Sequence, residues 1–309
     1  MKDFIGFENI IDGFKTRADK NILSHAHLIV GLDGIGKSIL ARIFALKILG
    51  KDIDRDYVDI IHYKPKKASF GVDEVRNIIE EVSKKPYEGD KKVIIIHDGN
   101  KLTIQAQNAL LKTIEEPPKG VYIILLSESL ELMLDTIKSR CQIYKLTPLN
   151  REDMIKYINR LGETDGDRIL ASLAYAEGVP GRAERMLNDE KLESLRKIIV
   201  DVIKDVADSN IEIVLDYEDK LNSYKNDKDE VLNLFASFIR DIMVYKELEN
   251  RDIIINIDKF NDICELANSL SYNKLNVMLD KVKEARINLI NNTNYSMTLS
   301  VMLIGFVEG

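Results

Sequence analysis

The chain has 309 residues, of which 45% are hydrophobic and 31% charged, and its formal net charge is −7. That length exceeds one compact core and predicts two or three domains. The net acidity excludes a protein that coats nucleic acid by itself, since such binding draws on many Lys/Arg contacts with phosphates; any DNA contact is expected to be local or shared with partners.

The opening residues 1–14 lack a basic segment followed by a long apolar run, and no stretch approaches the roughly 18 apolar residues of a membrane span. A cytoplasmic location without membrane contact is therefore expected. The two cysteines, Cys141 and Cys264, lie far apart with no Cys or His at metal-ligand spacing, so they read as buried thiols.

From residue 1 to about 147, short β-branched runs alternate with amphipathic stretches, the pattern of an α/β sheet with crossover helices. The clearest strands are 27–30, 93–96 and 121–126, continuous apolar runs suited to parallel strands buried on both faces. Helices are expected over 72–84 and 103–116. The second carries Ala106, Ala109, Leu110, Thr113 and Ile114 on one face and is stopped by Pro117-Pro118. After Pro148 strand-like runs nearly vanish. A short helical unit over about 150–190 is broken at Gly162 and at Gly178-Val179-Pro180-Gly181. Segments 191–208, 211–224, 228–248, 258–270, 273–291 and 296–307 then carry apolar residues at the intervals of packed helices.

Three places could carry chemistry. Gly31-Leu32-Asp33-Gly34-Ile35-Gly36-Lys37-Ser38 matches the phosphate-binding loop pattern in full, after a strand and before the apolar helix 39–49. Gly31, Gly34 and Gly36 let backbone N–H groups face phosphate oxygens, Lys37 supplies a cation, and the Ser38 hydroxyl is suited to magnesium. ATP or ADP with magnesium is the expected ligand. A chance glycine-rich turn is the alternative, and the flanking strand and helix argue against it. A hydrolytic site also needs acids at the end of a second strand, but strand 93–96 runs into His97-Asp98. Only Asp98 is left to serve the nucleotide, and imidazole substitutes poorly for a carboxylate around magnesium. A packed or hydrogen-bonded histidine is the simpler reading of His97. The third place is Thr136-Ile137-Lys138-Ser139-Arg140-Cys141, where Arg140, on the residues alone, is an ordinary surface arginine.

The run Gln105-Ala106-Gln107-Asn108-Ala109-Leu110-Leu111-Lys112-Thr113-Ile114-Glu115-Glu116-Pro117-Pro118, followed by Ser139-Arg140-Cys141, resembles the clamp-loader branch of the AAA+ ATPases in bacterial DNA polymerase III. The start, Phe4-Ile5-Gly6-Phe7, and the stretch from Asn291 to Leu299 extend the likeness over nearly the whole chain. The resemblance implies an α/β AAA+ phosphate-loop domain over 1–148, a small helical lid over 149–192 and an all-α collar over 193–309. It also implies a hetero-pentamer with tau/gamma and delta subunits, and contact with a sliding clamp and primer-template DNA through that complex. It makes Arg140 an arginine finger acting in trans on a neighbour's ATP, and Arg182, after Gly178–Gly181, a nucleotide-sensing residue of the lid.

Departures from the family pattern shape the rest. Many members carry four zinc-binding cysteines between the first helix and the segment before Val72; here residues 50–59 contain none, so no zinc is expected. His97 in place of an acid separates the chain from the motor subunits, and its complete phosphate loop separates it from members whose loop has decayed. The expectation is an assembly subunit that binds nucleotide without turning it over efficiently, the polymerase activity belonging to the complex. The alternative is a tau/gamma-like motor that hydrolyses ATP itself; a small-molecule kinase fits the helical second half poorly. Lys64, Lys66, Lys67, Lys84, Lys85, Lys91 and Lys92 form a charge run that reads as a solvated face or a DNA contact. His25 and His27 read as packing residues on one side of the first strand.

Overall fold

The structure is a computed structural model that describes residues 4–65, 69–207 and 213–308. The chain divides into two compact units. One comprises residues up to Tyr157 together with Gly178–Gly181; the other comprises Ile158–Glu177 and the residues from Arg182 on.

The first unit is built on five parallel strands: β1 (Ala26–Val30), β2 (Ile60–Tyr63), β3 (Lys92–Ile96), β4 (Val121–Ser127) and β5 (Gln142–Lys145). Their spatial order is β2-β3-β4-β1-β5. Every residue of β1 and β3 is buried, as continuous apolar runs predict for strands covered on both faces. The pleat sends alternate residues to opposite cores. Ile29, Val93, Ile95 and Ile124 pack with Phe14, Leu40 and Phe44, from the helices α1 (Glu8–Asp19) and α2 (Lys37–Leu49). Leu28, Val30, Ile94, Ile96 and Ile123 meet Val75, Ile78, Leu110 and Ile114, from α3 (Val72–Ser83) and α4 (Ile104–Glu115); the one-turn α5 (Asp135–Lys138) closes that side with Ile137.

Local chemistry sets the ends of these elements. The Thr103 hydroxyl accepts from Ala106 N–H at 3.2 Å and starts α4. Gly50, at φ 65°, ends α2 in the left-handed conformation that glycine adopts without strain. The edge strands β2 and β5 are only partly buried, and this mixed character hides them from a search for apolar runs.

Two polar residues inside this unit are drawn into its cores; Lys92 corrects the reading of its lysine run, and His27 packs as expected. Lys92 is fully buried; its ammonium donates to Glu81 O, Lys84 O and Glu81 Oε1, each at 3.0 Å, so it closes the end of α3 instead of facing DNA. His27 is fully buried beside the stacked rings of Phe14 and Phe44, while His25, one residue before the strand begins, is exposed against Tyr122. Both histidines thus contact rings of the same core, Tyr122 for His25 and Phe14 and Phe44 for His27, and only the second is covered.

Burial pulls His27 from 6.5 down to about 4, with the nearby Arg17 charge acting in the same direction. His27 Nε2 has no hydrogen-bond partner among the described residues. The unfolded chain takes up a proton near 6.5 and the folded one only near 4, so between those values the unfolded state binds more protons. Stability is complete above pH 6.5 and is lost as pH falls towards 4. Lowering the pH from 7.5 to 4.5 should cost about 2–3 kcal/mol through this residue. His27→Phe should remove that part of the slope in urea-unfolding measurements; an unchanged slope would mean the ring hydrates before the unit unfolds.

The second unit is helical: α7 (Gly166–Ala176), α8 (Pro180–Asn188) from Arg182 on, α9 (Glu190–Ala207), α10 (Ile213–Asn222), α11 (Lys228–Leu248), α12 (Phe260–Ser269), α13 (Tyr272–Ile290) and α14 (Tyr295–Glu308). The preceding helix α6 (Arg151–Arg160) contains the unit boundary. Ala171 and Met186 share one core with Leu195, Phe235, Phe238, Met278, Leu299 and Phe306. Inside it Arg196, 1% exposed, forms a two-pronged pair with Asp258 at 2.7 and 2.8 Å and also donates to Asn256 Oδ1. Asn256 in turn donates to Asp241. No described helix is long and apolar enough to cross a membrane. The expected segments 191–208 and 211–224 include residues 208, 211 and 212, and the lysine run includes Lys66 and Lys67; all these lie outside the described residues.

Candidate functional site

The carboxyl ends of parallel strands are where open α/β sheets bind ligands, and β1 delivers loop 31–38 there. The N-terminus of α2 has no side-chain cap and no acid in its first turn, so its N–H groups and dipole are available to an anion. Gly36 adopts φ 107°, and a Cβ at this position would meet the Phe4 ring at 2.7 Å. Gly34 is backed by the turn Gly178–Gly181: Gly181 N–H donates to Gly34 O at 2.9 Å, and a Cβ on Gly181 would meet Gly34 Cα and O at 2.8 Å. Glycines at 34 and 181 let two backbones touch, which fixes the shape of the loop.

Lys37 folds back over this loop, donating to Gly31 O at 2.8 Å and Leu32 O at 2.9 Å. Burial pulls its ammonium below the ordinary lysine range, against the opposing pull of Asp33, Glu128 and Asp98. Ser38 is exposed at the head of α2. These residues fit a nucleotide's phosphates: an open helix N-terminus, a glycine cradle and a lysine held within the loop.

The second strand offers less for magnesium. His97 follows β3 and faces His62 of β2, Nε2 to Nδ1 at 3.0 Å. Burial, then the charges of His62 and Lys64, pull His97 down to about 4, and burial also lowers His62. Two neutral imidazoles sharing one hydrogen bond supply no carboxylate at the place where a hydrolytic site needs it. Asp98, at φ 50°, is paired with Lys101 at 3.0 Å. Glu128, one residue past β4, adds a carboxylate whose field reaches Lys37. Sequence reasoning missed it; the Ser127-Glu128-Ser129 step directly after a buried strand is the signal that marks it.

Arg140 stands at the other end of the sheet. It lies two residues before β5, and β5 runs parallel to β1 with Lys145 opposite Val30. The loop 31–38 leaves the far end of β1, so about five strand residues, roughly 15 Å, separate the two along the sheet. Arg140 is exposed and returns to its own chain: Nη1 donates to Thr136 O at 3.0 Å, Nε lies 3.2 Å from Glu115 Oε2, and Nη2 donates to Glu115 Oε1 at 3.3 Å. Cys141 beside it is half-buried, and burial pushes its thiol up to about 12, so it is no ready nucleophile. Arg182, in the second unit, is paired with Glu177 at 3.0 Å.

Two described lysines of the run are engaged within the fold. Lys92 is buried as described, and Lys84 lies 3.5 Å from Glu80 and 3.1 Å from Glu81. Within residues 50–59, Arg42 bonds Asp54 at 3.0 Å and the Arg55 carbonyl.

Comparison with known proteins gives the lineage. The family model described as DNA polymerase III, delta subunit, matches residues 6–150, and that described as its C-terminal part matches residues 212–308. The delta-prime subunit of DNA polymerase III from Bacillus subtilis (strain 168) is 28% identical over 312 residues, covering 94% of this chain and 93% of its own length. The delta-prime subunit from Escherichia coli (strain K12) is 27% identical over 247 residues, covering 80% of this chain and 71% of its own. Among solved structures, a DNA polymerase III gamma subunit-related protein from Thermotoga maritima shares the fold, with a TM-score of 0.56 at 17% identity over 96% of this chain and 98% of that one. With the parallel AAA+ sheet, the helical second half and these matches along most of its length, the chain belongs to the delta-prime family of DNA polymerase III clamp-loader subunits.

Proposed function

We propose that the chain acts as a stator within a clamp loader, holding nucleotide without efficient turnover and setting Arg140 against the nucleotide of a neighbouring motor subunit. The observation that carries this reading is the position of Arg140 at the end of the sheet away from its own phosphate loop. A guanidinium roughly 15 Å from the chain's own phosphates has no cis role, whereas an exposed arginine on a fixed turn suits charge stabilisation across an interface.

The proposed division is an AAA+ domain over 1–148, a lid over 149–192 and a collar over 193–309, the collar joining tau/gamma and delta subunits in a hetero-pentamer. Exposed Met297, Val301 and Ile304 recur along α14 at four- and three-residue spacing, and Ile287 and Ile290 are exposed near the end of α13. A lone helical stripe of this kind suits a protein interface. Contact with the sliding clamp and primer-template DNA would come through that assembly, which places clamps on primed DNA. Bound ATP or ADP would supply the anion that loop 31–38, Lys37 and Ser38 are shaped to receive, with magnesium at Ser38.

The second reading, a tau/gamma-like motor, draws on the complete phosphate loop together with Asp98 and Glu128. The neutral His62–His97 pair weighs against it. Nucleotide binding and steady-state hydrolysis by the purified chain separate the two. ATP binding should weaken about 10- to 100-fold on Lys37→Ala, the loss of a charge-assisted hydrogen bond, while turnover by the chain alone stays near background. Robust Lys37-dependent turnover without partners would make the chain a motor.

A further inference from the structure

We infer that Glu115 is a latch: it holds Arg140 parked until the phosphates of a neighbour's nucleotide take its place. This rests on the reading of Arg140 as an arginine acting in trans. Arg140 presents one planar edge, Nε and Nη2, to the two oxygens of Glu115 at 3.2 and 3.3 Å, while Nη1 is turned to Thr136 O at 3.0 Å. A phosphate with two free oxygens binds the same planar fork. Glu115 and a phosphate therefore compete for one edge of one side chain.

The place of Glu115 in the fold gives the second argument. Glu115 is the last residue of α4 and Glu116 caps it. Carboxylates are disfavoured at the negative end of a helix, and natural chains tend to break such local rules at functional positions. Lys112 lies in the same last turn, and the Arg140 guanidinium is the cation that pairs with Glu115 directly. Pro117-Pro118 stops the helix there, so Glu115 cannot be carried away from Arg140 by an extra turn of α4.

The strength of the pair suits a latch and not a lock. The Arg140 and Glu115 side chains are 35% and 54% exposed, and a pair so open to water is worth a factor of about two to five. A multiply charged phosphate group in a subunit interface overcomes that readily. Without such an anion the guanidinium stays on its own chain.

The test uses loader assembled from this chain with its motor and collar partners, sliding clamp and primed DNA, measuring KM for ATP and kcat with and without DNA. Glu115→Gln keeps the side-chain shape and removes the charge. The expected result is a DNA-independent rate raised, and a KM for ATP lowered, by about two- to five-fold, with kcat in the presence of DNA unchanged. Arg140→Ala should collapse the stimulated rate, and the double variant should match Arg140→Ala alone. If Glu115→Gln behaves as wild type while Arg140→Ala collapses, the latch is wrong and the arginine's role stands. If Glu115→Gln falls as Arg140→Ala does, Glu115 aims the arginine instead of restraining it, and the latch is again wrong. Wild-type rates for Arg140→Ala would remove the role of the arginine itself, and the latch with it.

Discussion

Arg140→Ala should lower the DNA-stimulated ATPase of the assembled loader by about 10³, the scale on which arginines supplied in trans accelerate phosphoryl transfer. The chain itself should be undisturbed. Among the described residues, the side-chain hydrogen bonds of Arg140 are at the surface, to Glu115, Thr136 and Ser139, and an exposed ion pair contributes at most about 1 kcal/mol. Thermal unfolding of the isolated subunit and its entry into the complex should therefore match wild type. Arg140→Lys should recover little of the lost rate, because an ammonium is a point charge without the planar fork that the site presents. Full ATPase in the variant loader would end the in-trans assignment. A loader that fails to assemble would instead assign Arg140 to the interface itself.

Arg196→Ala should be the most damaging single change in the helical unit, costing about 3–5 kcal/mol. The alanine leaves Asp258 buried without its cation, leaves Asn256 Oδ1 without a donor, and opens a void beside Phe238. At about 2–4 °C per kcal/mol for a unit of this size, the melting temperature should fall by roughly 10 °C. The segment 251–259, which runs through two short 3-10 turns and is held to α9 and α11 through Asp258, Asn256 and Asp241, should become the first site of proteolysis. Removing both charges together, as Arg196→Met with Asp258→Leu, should cost much less, because no buried ion is left uncompensated. A loss below about 1 kcal/mol for Arg196→Ala would mean that the network is an ornament of the packing.

The central architecture was legible because it rests on local patterns. Apolar runs place β1, β3 and β4 to within a residue at each end, and three- and four-residue spacing places α11 at its observed bounds, Lys228–Leu248. The edge strands were not legible. Ile60–Tyr63 and Gln142–Lys145 are four residues long and half polar, since one side of each borders no strand. The first helix, Glu8–Asp19, buries only Ile11 and Phe14 and gives a weak periodic signal.

At the site, the contiguous motif 31–38 could be read from the residues, whereas partners brought together by folding could not. His62 meets His97 across 35 residues, Glu115 meets Arg140 across 25, and Arg196 meets Asp258 across 62. Each partner alone looks like an ordinary surface charge or strand-end histidine. Lys92 is the converse case: it sits in a run of lysines that suggests a solvated face, and the sheet draws it inward to close α3.

The placement of loop 31–38 and Arg140 beyond opposite ends of the sheet has an evolutionary consequence. Sites farther apart than about 7–10 Å and without shared partners respond to substitution nearly independently. Selection on a lineage can therefore erode the phosphate loop while the arginine persists, or keep the loop after hydrolysis is no longer demanded. Inheritance of one is no guide to the other, and, on the proposed in-trans role of Arg140, a survey that scores such chains by their phosphate loops alone would misjudge which of them still serve their neighbours.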